Sequence, residues 1–294
     1  MMKVLVIGAS GLVGRHCFQY LNKKNIEVVG THRSYEVPDT LFFDPSLANC
    51  FDFLAKKAFI PDAIIHCGAL TNVDYCEDNQ IESYNLTVKS TEVIADFCKK
   101  NRTKLIYLST DYVFDGESGP YSEIDDINPI NIYGKHKAEA EKIVSNSDNN
   151  LIVRITNVYG EEERSKNFIA HLINIINSGE EKTFKLPYDQ FATPIYAGDI
   201  AEMIYLLLKE NKQGVYNLSS TDYYSRYQLA IKVKSYFNNS SRLNLEPIST
   251  KNMHQKAKRP LNGGLLNIKF SKQFPNFIYT NIDNFILKTL KHEI

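Results

Sequence analysis

The chain has 294 residues, 43% of them hydrophobic, and its 34 Lys and Arg are matched by 34 Asp and Glu. That length buries a substantial core, as one large domain or two intimately joined ones. The zero net charge gives no electrostatic case for a nucleic acid or membrane partner.

The N-terminus passes from Met1-Met2-Lys3 straight into an apolar stretch at residues 4–7, read as a first strand, with no room for a signal peptide. A helix follows over residues 12–21, a second strand ends at Val28-Val29, and further strands are expected at 41–43 and 63–66. Residues 80–99 carry Val88, Val93, Ile94 and Phe97 at helical spacing. A strand at 105–108, a polar Gly- and Pro-bearing loop at 115–129, a helix at 132–144 and a strand at 151–155 complete the first half.

This alternation of strand and helix is the pattern of an α/β protein: a doubly wound parallel sheet, Rossmann-type, covered by helices. Past Gly160 the alternation breaks down, and helical segments at 168–176, 201–208 and 228–237 are separated by irregular polar stretches. The expected division is a dinucleotide-binding domain at 1–160, rejoined by about 192–212, and a smaller α/β substrate-binding lobe built mainly from 161–294. No apolar run approaches the roughly 18 residues that span a bilayer. The cysteines Cys17, Cys50, Cys67, Cys76 and Cys98 form no C-x-x-C pair, so neither a disulfide framework nor a metal site is indicated. The cytoplasm is the expected location.

Gly8-Ala9-Ser10-Gly11-Leu12-Val13-Gly14 joins the first strand to the first helix. Glycines three apart let the backbone turn tightly, approach a pyrophosphate and pack the helix on its strand. Gly8, Ser10, Gly11, Leu12, Val13 and Gly14 are therefore candidate cofactor contacts, with the helix N-terminus facing the phosphates. After the second strand the chain reads Gly30-Thr31-His32-Arg33-Ser34. No carboxylate stands there to grip a ribose 2′-hydroxyl, and the planar fork of Arg33 suits a 2′-phosphate. NADPH is thus favoured, with NADH as the alternative. Small residues at Cys67-Gly68-Ala69 let the backbone lie near the ribose and nicotinamide, and Asp44 is expected to meet the adenine amino group.

Thr110 ends the strand that starts at Leu105, at the sheet edge where open α/β folds bind ligands. Tyr133 and Lys137 follow 23 and 27 residues later, four apart on a helix. The same spacing recurs at Tyr20–Lys24 and Tyr205–Lys209, and on its own means only a surface contact. Only Tyr133 follows both the glycine loop and a strand-end Thr. A phenol with a pKa near 10 is poorly matched to proton transfer at neutral pH, and a neighbouring ammonium lowers it. Lys137 is expected to supply that charge and to bind the nicotinamide ribose. Thr110 is expected to hold the substrate oxygen.

With Leu108-Ser109-Thr110-Asp111-Tyr112-Val113-Phe114-Asp115-Gly116, Tyr133-Gly134-Lys135-His136-Lys137, Asp189-Gln190 and Arg259-Pro260 in view, the chain resembles the extended short-chain dehydrogenase/reductase superfamily. Within it, most of its length is similar to dTDP-4-dehydrorhamnose reductases. The resemblance implies Thr110, Tyr133 and Lys137 as catalytic residues, hydride delivery from NADPH to C4 of a nucleotide-linked 4-keto-6-deoxy sugar, and a proton from Tyr133. It implies formation of dTDP-L-rhamnose for cell-surface polysaccharide, and a small-molecule partner for a monomer or homodimer.

Substrate-side candidates are Thr110, Asp111, Asn157, Asn167 with Phe168, Gln190, and Arg259 as a partner for the diphosphate. The pattern departs at Asn157, where these reductases carry Trp, and at Gly263-Gly264-Leu265-Leu266, where a basic and an acidic residue are absent. Two other readings stay open. One is an epimerase or dehydratase of the same superfamily. The other is a non-catalytic NADP-binding subunit like that of methionine adenosyltransferase.

Overall fold

Short strands that bury both faces need helices on both sides, and the computed structural model of the chain supplies them. It describes every residue except 163, 165, 239, 293 and 294. The first half runs β1 (Lys3–Ile7), α1 (Leu12–Lys23), β2 (Glu27–His32), β3 (Thr40–Phe42), α2 (Asp52–Lys56), β4 (Ala63–His66) and α3 (Val73–Asp78). It continues with α4 (Gln80–Tyr84), a π-helical turn (Asn85–Lys89), α5 (Ser90–Asn101), β5 (Lys104–Thr110), α6 (Ile132–Val144) and β6 (Leu151–Ile155).

After two-residue β7 (Val158–Tyr159) come α7 (Phe168–Ser178), β8 (Lys182–Pro187), β9 (Phe191–Ala192), β10 (Ile195–Tyr196) and α8 (Ala197–Lys209). Then follow β11 (Gly214–Asn217), β12 (Tyr224–Ser225), α9 (Arg226–Lys234), β13 (Leu243–Ile248), α10 (Ile268–Gln273) and α11 (Ile282–His292).

Seven strands form one sheet in the order β11-β6-β5-β4-β1-β2-β3, and every pairing in it is parallel. The strand order reverses between β1 and β4, which opens a crevice at their carboxyl ends. One face carries α1 and α8 over a core that includes Val4, Val6, Ile65, Leu108 and Val153. The other carries α2, α5 and α6 over Leu5, Ile64, Leu105, Tyr107 and Ile152. A separate core, with Ile169, Leu172, Leu229, Val233 and Ile286, joins α7, α9 and α11 to the β8–β13 pair.

β2 runs beyond its expected end at Val29 through buried Thr31 and His32. β3 completes their backbone hydrogen bonding, and His32 Nδ1 meets Thr40 Oγ1 at 2.8 Å. β11 and the β8–β13 pair lie where the sequence shows only irregular polar stretches. Their residues are half polar because one face or edge meets solvent. The two other Tyr–Lys pairs meet each other. The Tyr20 and Tyr205 rings lie 5.7 Å apart at the α1–α8 contact, and Lys24 sits over both. No helix among the described residues is long and apolar enough to cross a membrane.

One buried ion pair ties α6 to the sheet. Arg154 on β6 donates from Nε and Nη2 to Glu141 at 3.0 and 2.8 Å, both side chains being 4% exposed. Removing one partner strands a buried charge, which costs roughly 3–5 kcal/mol. Glu141→Ala is therefore expected to lower the urea-unfolding free energy by about that much, and the double change Glu141→Leu with Arg154→Met to recover most of it. A single-variant loss below about 1 kcal/mol would show the pair to be energetically idle.

Candidate functional site

The first turn of α1 is closed by close backbone packing. A Cβ on Gly14 would stand 2.1 Å from the Gly8 carbonyl oxygen, and Gly8 itself has φ +85°. Gly11 caps α1 without any side-chain hydrogen bond, so the first N–H groups of the helix stay available to an anion. From this loop a cleft of about 620 Å³ runs past Cys67 and Ala69 to Thr110, Tyr133 and Lys137, and on to Asn157, Asn167, Phe168 and Arg226.

Thr110 is the last residue of β5. Its Oγ accepts from Tyr112 N at 3.2 Å and donates to Asp111 at 3.3 Å. Tyr133 is the second residue of α6, whose start is fixed by Asn131, the side chain of which accepts from Gly134 N at 2.8 Å. A Cβ on Gly134 would lie 2.1 Å from the Tyr112 carbonyl oxygen. Only glycine lets the helix come this close to the turn after β5. The approach sets the Tyr133 ring edge-to-face on Tyr112, centroids 5.7 Å apart. One turn on, buried Lys137 donates to the Leu108 carbonyl at 2.5 Å and lies 4.2 Å over the Tyr107 ring. The three residues thus converge on one wall of the cleft.

The electrostatics differ from the expectation that Lys137 lowers the phenol. Burial pushes the Tyr133 hydroxyl well above its ordinary value, opposed by the Thr110 hydroxyl and reinforced by Asp111. Burial also lowers Lys137 to about 7, Glu141 opposing. With both groups out of water, the neutral form of each is favoured. Behind Lys137, burial and then the Lys137 charge hold His66 at about 3. The Ser109 hydroxyl, which lines the cleft, is buried without a hydrogen-bond partner among the described residues.

Of the other sequence candidates, Gly8, Gly11, Leu12, Val13, Gly14, Cys67, Ala69, Asp111, Asn157 and Asn167 line this same cleft. Ser10 faces a neighbouring groove, and its carbonyl accepts from Arg164 at 3.1 Å. Gly68 lies behind the glycine loop, its N 3.1 Å from where a Gly8 Cβ would stand. Arg33 and Asp44 line a third groove of about 840 Å³.

Several assignments need correction. Asp44 is already engaged within the protein: Ser46 donates to it from N and Oγ at 2.9 and 2.7 Å, and Arg33 Nε at 3.1 Å. Against the effect of burial, these bonds hold its carboxyl below the ordinary range. Asp44 therefore orients Arg33. Asn167 spends its side chain on the α7 cap, accepting from Ala170 N at 3.1 Å and donating to the Gly160 carbonyl at 3.0 Å.

Gln190 lies outside the cleft lining and donates to Gln255 at 2.9 Å. Arg259 is also outside it, paired with Asp74 at 3.0 Å. Asp111 is buried and accepts from Thr156 Oγ1 at 2.7 Å and Gly264 N at 3.3 Å, bracing the turn after β5. Burial raises its carboxyl above the ordinary value. Asn157 faces the cleft at φ +40°, a left-handed backbone that Asn tolerates better than an aromatic residue does.

Arg164, Lys166 and Arg226 are basic residues in the cleft that carry no motif, and Lys166 is exposed. Arg164 sits in a charged run, Glu161-Glu162-Glu163-Arg164, and folds over the glycine loop with its guanidinium 4.5 Å from the Tyr35 ring. Arg226 opens α9 directly after its N-cap Ser225, inside the Ser225–Gln228 capping box. That box is legible as Ser-x-x-Gln and places Arg226 in a first helical turn, two residues ahead of the helix start expected at 228.

An open parallel sheet with a glycine-lined helix start at its reversal point, and Thr, Tyr and Lys beyond it, defines a dinucleotide-binding α/β protein of the short-chain dehydrogenase/reductase kind. The chain belongs to the RmlD substrate binding domain family, which matches residues 2–282. It is 29% identical over 289 residues to the dTDP-4-dehydrorhamnose reductase of Aggregatibacter actinomycetemcomitans, covering 93% of this chain and 94% of that one. It is 30% identical to methionine adenosyltransferase 2 subunit beta of Xenopus tropicalis, over 84% of this chain and 75% of that one. The crystal structure of dTDP-4-dehydrorhamnose reductase from Bacillus anthracis str. Ames in complex with NADP superposes with a TM-score of 0.85 at 26% identity, covering all of both chains.

The Lys137 shift has a sign that is open to test. Between about 7 and the ordinary lysine value near 10.4, the unfolded chain holds a proton that the folded chain does not. Stability therefore rises with pH across that window and levels off below it. Urea unfolding without added nucleotide is expected to show this slope, and Lys137→Met to flatten it. A Met variant with the parent's slope would refute the depressed lysine.

Proposed function

We propose that the protein is an NADPH-dependent reductase of a nucleotide-linked 4-keto-6-deoxy sugar, turning dTDP-4-dehydrorhamnose into dTDP-L-rhamnose for cell-surface polysaccharide in the cytoplasm. The observation that carries the reading is the convergence of Thr110, Tyr133 and Lys137 on one wall of a cleft that begins at an uncapped, glycine-lined helix start. Family membership and the NADP-bound neighbour support it.

The residues present fit the cofactor. Gly8, Gly11, Leu12, Val13 and Gly14 would hold its pyrophosphate, and Cys67 and Ala69 its ribose side. Arg33, steadied by Asp44, would meet a 2′-phosphate, and Lys137 with the unpartnered Ser109 hydroxyl would face the nicotinamide end. NADPH, when bound, supplies the hydride. Thr110 holds the substrate oxygen and Tyr133 gives it a proton. The high value of the Tyr133 phenol keeps that proton in place until charge develops on the oxygen. Lys137 is a positioning residue, its amino group placed for the phenol and the ribose. In the division of labour we infer, residues 1–160 with 192–212 bind the dinucleotide, and most of 161–294 binds the substrate.

A second reading rests on the 30% identity to methionine adenosyltransferase 2 subunit beta and on Asn157 at the substrate wall: a non-catalytic subunit that binds NADP. The two readings separate in one assay. NADPH oxidation with dTDP-4-dehydro-6-deoxy-L-mannose is expected for the intact protein and should fall roughly 10²–10⁴-fold in Tyr133→Phe. NADPH binding without turnover would sink the reductase reading in favour of the binding subunit. Arg33→Ala is expected to lower the preference for NADPH over NADH by roughly tenfold or more, the loss of one charge-assisted contact. An unchanged ratio would remove Arg33 from cofactor selection.

A further inference from the structure

The basic side chains around the cleft differ in what already satisfies them. Arg259 is paired with Asp74 at 3.0 Å, and Lys137 donates to the Leu108 carbonyl. Arg164 is held by the Ser10 carbonyl, by Glu162 at 3.6 Å and by the Tyr35 ring. Lys166 is exposed at the rim. Arg226 also lines the cleft, and among the described residues no carboxylate lies within ion-pair distance of it.

The setting of Arg226 is built. Its backbone N–H donates to the Gln190 carbonyl at 3.2 Å, and the capping box of Ser225 and Gln228 fixes the turn that carries it. Its guanidinium lies 4.5 Å over the ring of Phe168, the first residue of α7. The N-terminal ends of α7 and α9 therefore meet at this wall, and both bring the positive end of a helix dipole to it. Burial lowers the Arg226 pKa, and the charge of Arg259 acts in the same direction, with Tyr112 opposing. A partly desolvated cation beside a second cation is stabilised by an anion, and a guanidinium fork matches phosphate oxygens. Tyr112 touches the Tyr133 ring and feels the charge of Arg226, and all three line the one cleft, so a group bound at Arg226 shares the cleft with the reacting end.

We propose that Arg226 is the anion subsite of the cleft and anchors the diphosphate of a nucleotide-linked substrate, while Arg259 holds Asp74 and supports the wall from behind. The inference deepens the reading of the cleft as a nucleotide-sugar site and rests on it. It makes Arg226 a binding and positioning residue whose loss acts on KM for the sugar nucleotide while leaving kcat nearly unchanged.

The test is calorimetric titration of dTDP into the NADP-loaded protein for the intact chain, Arg226→Gln, Arg226→Lys and Arg259→Gln, with NADPH affinity and thermal unfolding measured alongside. Arg226→Gln is expected to weaken dTDP about 10- to 100-fold, the loss of charge-assisted hydrogen bonds. Arg226→Lys should recover part of that, and Arg259→Gln should lose much less. NADPH affinity should stay within about twofold, because the anchor lies away from the glycine loop. Retention of dTDP affinity by a folded Arg226→Gln protein overturns the proposal, and so does an intact chain that binds no dTDP. Turnover of the keto-sugar nucleotide with an unaltered KM in Arg226→Gln refutes the anchor and leaves the reductase standing. Binding of dTDP that depends on Arg226, without turnover, removes the reductase and keeps the anchor.

Discussion

Everything at the cleft depends on how closely α6 is seated on β5 and β6. Three positions on one face of that helix set the distance. Gly134 admits the Tyr112 carbonyl where any side chain would collide. Lys137 reaches the Leu108 carbonyl, and Glu141 closes a bidentate pair with Arg154. Each contact lies about a turn from the next, so a shift of the helix breaks all of them together. Tyr133, beside Gly134, is thereby held at the carboxyl edge of the sheet, where the strand order reverses and a ligand has room.

The same burial governs the chemistry. Taken out of water, the Tyr133 phenol and the Lys137 ammonium each move toward neutrality, the phenol up and the lysine down. Burial, rather than the proximity of opposite charge that is the simplest account of a Tyr–Lys pair, leads both shifts. A phenol that holds its proton suits a donor to an oxygen that becomes negative only during reaction. Two other Tyr–Lys pairs of equal spacing, at the α1–α8 surface, show that the environment makes the difference.

Much of this is legible in the chain. The glycine loop, the strand-end Thr110 and the α6 pair announce themselves because each is a local device: a backbone close approach, a strand terminus, a helical repeat. The substrate side is less legible. Arg259 and Gln190 stand in recognisable motifs yet turn to Asp74 and Gln255, outside the cleft. Arg226 and Arg164 stand in no motif and lie within it. Asp44 sits after a strand as a ligand would, but its oxygens are taken by Ser46 and Arg33.

Sequence by itself determined the alternating strands and helices, the phosphate-binding turn and the identity of the Thr–Tyr–Lys set. These arise from periodicity and from backbone demands spanning only a few residues. Tertiary structure decided which cations keep a free charge, which polar side chains are spent as caps, and where the proton of Tyr133 rests. Those properties follow from burial and from partners far away in the chain, such as Glu141 with Arg154 or Arg226 with Phe168. No local spacing encodes them, because desolvation and pairing depend on the whole surface that folding removes from water.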